Sequence, residues 1–123
     1  MIFILIEKNM KIDKKRQKQT AEHFTPDPLV NEILDKLEHY DPDCFKKADK
    51  KWLDPSCGRG AFLIGVRERL RKYHPEEWIN ENMIYGVDLM RDNCEYCKSL
   101  GFKNIVCADG LKYDYSFKVE DLI

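Results

Sequence analysis

The sequence has no apolar run long enough to cross a bilayer, and none long enough for the core of a secretory leader. Its opening apolar stretch, Ile2-Phe3-Ile4-Leu5-Ile6, has no basic residue ahead of it and no small-residue cleavage site behind it. That stretch reads as an edge strand or as an extension from an upstream start codon, and Met10 would start the chain equally well. Cysteine occurs five times, an odd number, scattered without a close-set framework. A disulfide scaffold is thereby excluded, and reduced thiols in a cytoplasmic protein are expected. His23, His39 and His74 have no partner pattern of the kind a nucleophilic triad needs. The formal net charge of -1 excludes a uniformly basic nucleic-acid binder, although not a local basic patch. Prolines stand at 26, 28, 42, 55 and 75, and no two are adjacent.

What is present fits one modest soluble domain: 123 residues, 43% hydrophobic and 35% charged, which allows a core of limited size. Between residues 8 and 18 lie Lys8, Lys11, Lys14, Lys15, Arg16 and Lys18, against Glu7 and Asp13. This run is either a solvated arm or one that touches phosphates. Residues 1–19 are read as a basic N-terminal extension and residues 20–123 as the domain.

Leu29, Val30, Ile33, Leu34, Leu37 and Tyr40 recur at helical spacing and predict an amphipathic helix over 28–40, with Asp27 as N-cap and Pro28 in its first turn. Residues 44–50 are polar and read as a loop or a short helical turn. A strand over 51–53 ends at Asp54-Pro55. The next helix carries an apolar face of Phe62, Leu63, Val66, Leu70 and Tyr73. Its charged face holds Arg67, Glu68, Arg69, Arg71 and Lys72. Gly65 within it costs about 1 kcal/mol relative to Ala, so close packing on a neighbour is expected. A short helix over 75–80 precedes a strand over 83–89. A helix over 91–100 follows, with Gly101 as its left-handed terminator, and then a strand over 103–108. Trp52 and Trp78 are assigned to the core. Cys94 and Cys97 read as free thiols on a helix face rather than metal ligands, because no second pair accompanies them.

Strands alternating with helices imply a parallel sheet with right-handed crossovers. Each strand ends in an acid: Asp54, Asp88 and Asp109. That is the edge at which open α/β sheets bind ligands. Residues 52–63 form the centre of this arrangement. Pro55 closes the strand, Gly58 and Gly60 let the backbone bend and approach a ligand, and a helix starts at once. Asp88 lies 28 residues after Gly60, at a strand end suited to the two hydroxyls of a ribose. A dinucleotide loop wants a third glycine, and Leu63 stands there instead. Asp54 would repel a pyrophosphate, whereas it suits the ammonium and sulfonium charges of a methionine moiety. The charges therefore favour S-adenosyl-L-methionine over a dinucleotide.

Asp54-Pro55-Ser56-Cys57-Gly58-Arg59-Gly60-Ala61-Phe62-Leu63 resembles motif I of the amino-group DNA methyltransferases. His23-Phe24-Thr25-Pro26 resembles their N-terminal aromatic-Thr-Pro motif, which precedes motif I in the adenine-specific group that includes type I modification subunits. Gly86-Val87-Asp88-Leu89 is similar to motif II and Ala108-Asp109-Gly110-Leu111 to motif III. The resemblance spans residues 20–111. It implies the first three parallel strands, with flanking helices, of a Rossmann-like S-adenosylmethionine-dependent methyltransferase fold. It also implies cofactor-binding roles. Phe24, Thr25 and Pro26 would close over the cofactor. Asp54, Pro55, Ser56, Cys57, Gly58, Gly60 and Phe62 would form its methionine loop. Asp88 would take the ribose hydroxyls, with Leu89 on the adenine. Asp109 would accept from the adenine amino group, with Leu111 on the ring's other side. By its residues alone, Asp109 before Gly110 could also be a turn cap, the lesser of the two readings.

The family's catalytic motif is of the Asn/Asp-Pro-Pro-Tyr/Phe type, and this sequence has no Pro-Pro pair. The resemblance thus implies the cofactor-binding portion of a DNA adenine methyltransferase from a restriction-modification setting. No catalytic residue is assigned in this chain, which would be inactive alone and completed by a second polypeptide carrying the catalytic motif and target recognition. The outer edge of the first strand is expected to be unpaired in this chain. A non-catalytic cofactor-binding or partner-binding remnant is one alternative. A methyltransferase part acting on an RNA base or a protein glutamine is another.

Overall fold

The computed structural model describes residues 2–3 and 27–123. They form β1 (Ile2–Phe3), α1 (Asp27–Tyr40), β2 (Trp52–Asp54), α2 (Ala61–Leu70), α3 (Glu76–Trp78), β3 (Ile84–Asp88), α4 (Arg91–Ser99) and β4 (Asn104–Cys107). A π-helical turn, Ile79–Met83, leads into β3, and a 3-10 turn, Val119–Asp121, lies near the end of the chain. The strands pair in parallel in the order β1-β2-β3-β4. This is the α/β, partial Rossmann-like architecture that the alternating pattern predicts. The edge-strand reading of the opening apolar stretch holds at Ile2–Phe3, and it overturns the expectation of an unpaired outer edge on the next strand: Ile2 pairs with Trp52 and Phe3 with Leu53. The basic run at 8–18, Met10, and Phe24, Thr25 and Pro26 lie outside the described residues. No described helix is long and apolar enough to cross a membrane.

Register sorts the side chains onto two faces, because partners in a parallel ladder point the same way. Trp52 pairs with Ile84, Asp54 with Gly86 and Ile105 beyond it, and Asp88 with Cys107. This face carries the helices and the main core. Leu53, Tyr85 and Asn104 form a row on the opposite face, followed by Val87 and Val106. Leu53, Val87 and Val106 are buried yet stand apart from the main core cluster. Residues 113–117 pack on that opposite face through the Tyr85–Phe117 ring contact at 5.0 Å.

α1 buries Val30, Ile33 and Leu34, three positions of its apolar stripe. α2 meets this stripe at Gly65, where a Cβ would come within 2.5 Å of Val30 Cγ1. The glycine is therefore a packing residue, as its helix-interior position suggested. Arg69 fastens the same pair of helices by donating to Asp35 at 2.7 Å and to Glu38 at 3.4 Å.

Three sequence expectations need correction. Residues 44–50 are not a wholly polar loop: Cys44 and Phe45 are buried, and the Phe45 ring stacks on Trp52 at 4.8 Å. Trp78 is not core; it is 46% exposed and donates its indole N–H to the Ala48 carbonyl. Arg67 does not belong to the charged face of α2. It is buried over the Phe102 ring and donates to the Leu100 carbonyl at 2.7 Å and to Asn80 Oδ1 at 3.3 Å. Burial pulls its guanidinium below the ordinary range. Apolar spacing cannot reveal such a residue, because the long arginine stem buries as an aliphatic chain does. Gly101 ends the α4 region at φ 101°, the left-handed terminator expected there.

Candidate functional site

The carboxyl edge of the sheet collects the three strand-end acids. Asp54 is level with Gly86, so Asp88 stands two residues, about 7 Å, farther along its strand. Asp109 lies two residues past the end of β4, in a turn that brings its neighbour Gly110 back against Pro55.

The loop between β2 and α2 is folded around two of these acids. Asp54 is fully buried, and its Oδ1 accepts the Ser56 N–H at 3.0 Å, closing an Asx turn over Pro55. The Cys57 N–H donates to the Val87 carbonyl at 2.9 Å, which fixes the loop to β3. Gly58 and Gly60 take φ 53° and 86°, in the left-handed region that their missing Cβ permits. The Gly58 N–H then donates to Asp88 Oδ1 at 3.0 Å. The helix's own bonding ladder starts with Ile64 N–H to the Gly60 carbonyl, so the first N–H groups of α2 stand ahead of it.

Asp88 is 7% exposed and is the hub of the edge. Besides Gly58, it accepts the Met90 N–H at 3.0 Å and the Asn93 side-chain amide at 3.1 Å, both on Oδ2. Oδ1 therefore carries the lighter load, with one donor against two. Asn93, in the first turn of α4, was not singled out from sequence. Only its position five residues after a strand-end acid hinted at it.

Asp109 does act as a turn cap: its Oδ1 accepts the Leu111 N–H at 2.9 Å. Its neighbour Gly110 comes so close to the first loop that a Cβ would stand 2.3 Å from the Pro55 carbonyl oxygen. Tyr115 completes the edge. Its hydroxyl donates to the Gly110 carbonyl, and burial, followed by the charges of Asp109 and Asp54, pushes its phenol up from the ordinary range. Tyr115 and Phe117 both hold positive φ, 56° and 47°, a conformation that L-residues with side chains seldom adopt.

The remaining assigned residues divide. Leu89 and Leu111 are 67% and 91% exposed and border the edge. Phe62 does not: its ring is built into the main core. The Cys57 side chain also turns inward, toward Gly86 and α4, so the loop offers its backbone there and not its thiol. At the other end of the loop, Ala61 and Asp27 line one cleft of about 210 Å³ with Val30, Ile64 and Arg69. The chain therefore enters α1 beside the start of α2.

In a parallel α/β sheet, a glycine loop at the carboxyl edge stands where ligands bind. The family model of the N-6 DNA methylases matches residues 5–111, and the chain belongs to that family. No curated protein matches the chain. Membership gives the chain a DNA methylase type of role, with DNA as the family's substrate.

Proposed function

We propose that this chain binds S-adenosyl-L-methionine along the Asp54–Asp88–Asp109 edge and serves as the cofactor-binding part of a DNA adenine methyltransferase. The observation that carries the reading is the gathering of the three acids at one edge of the sheet, with the glycine loop tied to Asp88 through the Gly58 N–H. The donor set fits the group. Asp54 offers a buried carboxylate to an ammonium, and Asp88 keeps its less loaded Oδ1 for ribose hydroxyls. Asp109 Oδ2 accepts from the adenine amino group while Oδ1 holds the turn, with the exposed Leu89 and Leu111 flanking the ring. Phe24, Thr25 and Pro26, just before Asp27 in the sequence, complete the proposed cofactor-binding set.

When bound, the cofactor supplies a methyl group on a positively charged sulfur. The acceptor-side motif is not among these 123 residues. Methyl transfer to the exocyclic amine of adenine therefore needs that motif from other residues, in a longer chain or in a second polypeptide that also recognises the target. Titration calorimetry with S-adenosylmethionine tests the site. The reading expects saturable heat with the wild-type chain and its loss in Asp88→Ala, with at least a tenfold weakening in Asp109→Ala. Equal heats for wild type and Asp88→Ala would sink the ribose assignment. Clear methyl transfer to DNA by this chain alone would sink the need for an outside acceptor motif.

A further inference from the structure

The five cysteines of this chain are all free thiols, yet four of them come in two spatial pairs that sequence spacing does not show. Cys94 and Cys97, three apart on α4, do not pair with each other across open solvent. Both are buried, and each turns to a different partner. Cys94 meets Cys107 at the end of β4. Cys97 meets Cys57, which lies in the glycine loop between Ser56 and Gly58.

The Cys57–Cys97 pair lies against the part of the loop that contacts Asp88. The Cys97 thiol donates to the Gly58 carbonyl at 3.4 Å. A Cβ on Gly60 would stand 3.2 Å from Cys97 Sγ, and one on Gly86 would stand 3.1 Å from Cys57 Sγ. The loop backbone is therefore seated on Cys97, and Cys57 is wedged between β3 and α4. We propose that Cys57 and Cys97 form a reversible disulfide that clamps the glycine loop onto α4.

The electronic asymmetry of the pair suits this chemistry. The Cys57 thiol donates its hydrogen bond to the Cys97 sulfur, which holds Cys97 below the ordinary thiol range and Cys57 above it. With hydrogen peroxide as oxidant, the Cys97 thiolate attacks one peroxide oxygen and the O–O bond breaks. This gives a sulfenic acid and hydroxide, which takes up a proton as water. The Cys57 thiolate then attacks the sulfenic sulfur and expels a second hydroxide. Two thiols and one peroxide become one disulfide and two waters. A dithiol reductant reverses the change by thiol–disulfide exchange. Because both thiols are buried, the oxidant reaches them only as the loop opens. The consequence for ligand binding rests on the cofactor reading above: a loop fixed to α4 cannot adjust around the methionine moiety.

The test treats the full chain with hydrogen peroxide and blocks remaining thiols with N-ethylmaleimide. Digestion with trypsin and a glutamate-specific protease, without reductant, separates Cys94 from Cys97 by cleavage after Glu95. Mass spectrometry should find Cys57 joined to Cys97, with the bond lost on adding dithiothreitol. In Cys97→Ala, checked for folding by circular dichroism, Cys57 should be recovered alkylated. Recovery of Cys57 and Cys97 alkylated from the oxidised wild type, or a Cys94–Cys107 bond alone, would overturn the proposal. Calorimetry separates the two layers of the argument. The reduced chain should bind S-adenosylmethionine about tenfold more tightly than the oxidised one. Equal affinity would remove the clamp, whereas no binding by the reduced chain would remove the cofactor reading and leave the peptide map to decide the disulfide.

Discussion

The two faces of the sheet are built by different means. The helix-bearing face is packed from fully buried side chains: Trp52 on Phe45, with Phe62, Leu63, Ile84 and Ile105 around them. Its left-handed backbone falls on glycines, and Gly65 accommodates the close approach of α1 and α2. The opposite face buries Leu53, Val87 and Val106. There the chain contributes half-buried aromatic rings: Tyr113 and Tyr115 lie 5.4 Å apart, and Phe117 rests on Tyr85. Two of those residues hold left-handed backbone to reach their places. One face is thus stabilised by area removed from water. The other is held by a hydrogen-bonded tail in which Tyr113 donates to Asp121 and accepts the Phe117 N–H. The acidic edge lies where these two constructions meet, with Cys57 and Phe62 rooted in the first and Tyr115 belonging to the second. The loop is thus anchored on one side by apolar packing and met on the other by hydrogen-bonded backbone, with Gly110 against Pro55.

The comparison predicts its largest effect at the aromatic stack. Phe45→Ala should cost about 3–5 kcal/mol in urea unfolding, as removal of a buried aromatic ring does. Phe117→Ala should cost only about 1–2 kcal/mol, since its ring is half-buried. Equal losses would mean that the two faces contribute alike. Next in size are the two tight glycines. Gly110→Ala drives a Cβ into the Pro55 carbonyl, a backbone atom that cannot swing aside. It should cost about 2–3 kcal/mol and weaken ligand binding as well. Gly65→Ala meets the Val30 side chain and recovers about 1 kcal/mol of helix propensity, so its net cost should be nearer 1 kcal/mol. If Gly65→Ala proved the more damaging, the helix interface and not the acidic edge would be the tightest junction of the fold.

The regular face was the legible one. Apolar spacing in α1 and α2, the three main strands and the terminating Gly101 follow from side-chain period and turn chemistry. The acids Asp54 and Asp88 at strand ends could also be read directly. The offset between them could not, because alternation fixes which face a residue takes and not its register against the next strand. The resemblance at residues 54–63 pointed to the loop as a whole. It did not show that Cys57 and Phe62 point away from the edge, since a motif records positions and not directions. Phe45 escaped notice because a single ring in a polar segment has no period. The tail of residues 111–118 was opaque for a similar reason. Its rings reach the sheet through positive φ values, and no propensity marks a tyrosine or phenylalanine for that conformation.

That strain supplies a smaller and cleaner test. At most buried positions alanine is better tolerated than glycine. At residue 117 the order should reverse: Phe117→Gly should be more stable than Phe117→Ala by about 1 kcal/mol, because both lose the ring and only glycine accepts φ 47° without cost. Matched urea titrations of the two variants measure the difference. Alanine equal to or above glycine would show that the tail reaches Tyr85 without backbone strain.

The smallest effect separates the faces by pH. Tyr113 and Tyr115 are both held above the ordinary phenol value of 10, with burial as the leading cause. A raised folded value favours the neutral phenol in the native state. Its contribution is present in full below pH 10 and is lost as pH rises through the folded value. On the helix face, burial pushes Cys44 to about 11 and Cys94 to about 12, so their contributions start to be lost above the ordinary thiol value of 9 and go on being lost through those folded values. Alkaline titration should therefore draw on the core thiols from pH 9 and on the tail phenols only from pH 10. Phenolate absorbance should contain a late component that disappears in the Tyr113→Phe, Tyr115→Phe double variant. Above pH 10 the urea midpoint of the wild type should fall more steeply than that of the same variant. A fall of equal size in both proteins would place the whole alkaline loss on the thiols of the helix face, and burial of the two phenols would then contribute nothing to it.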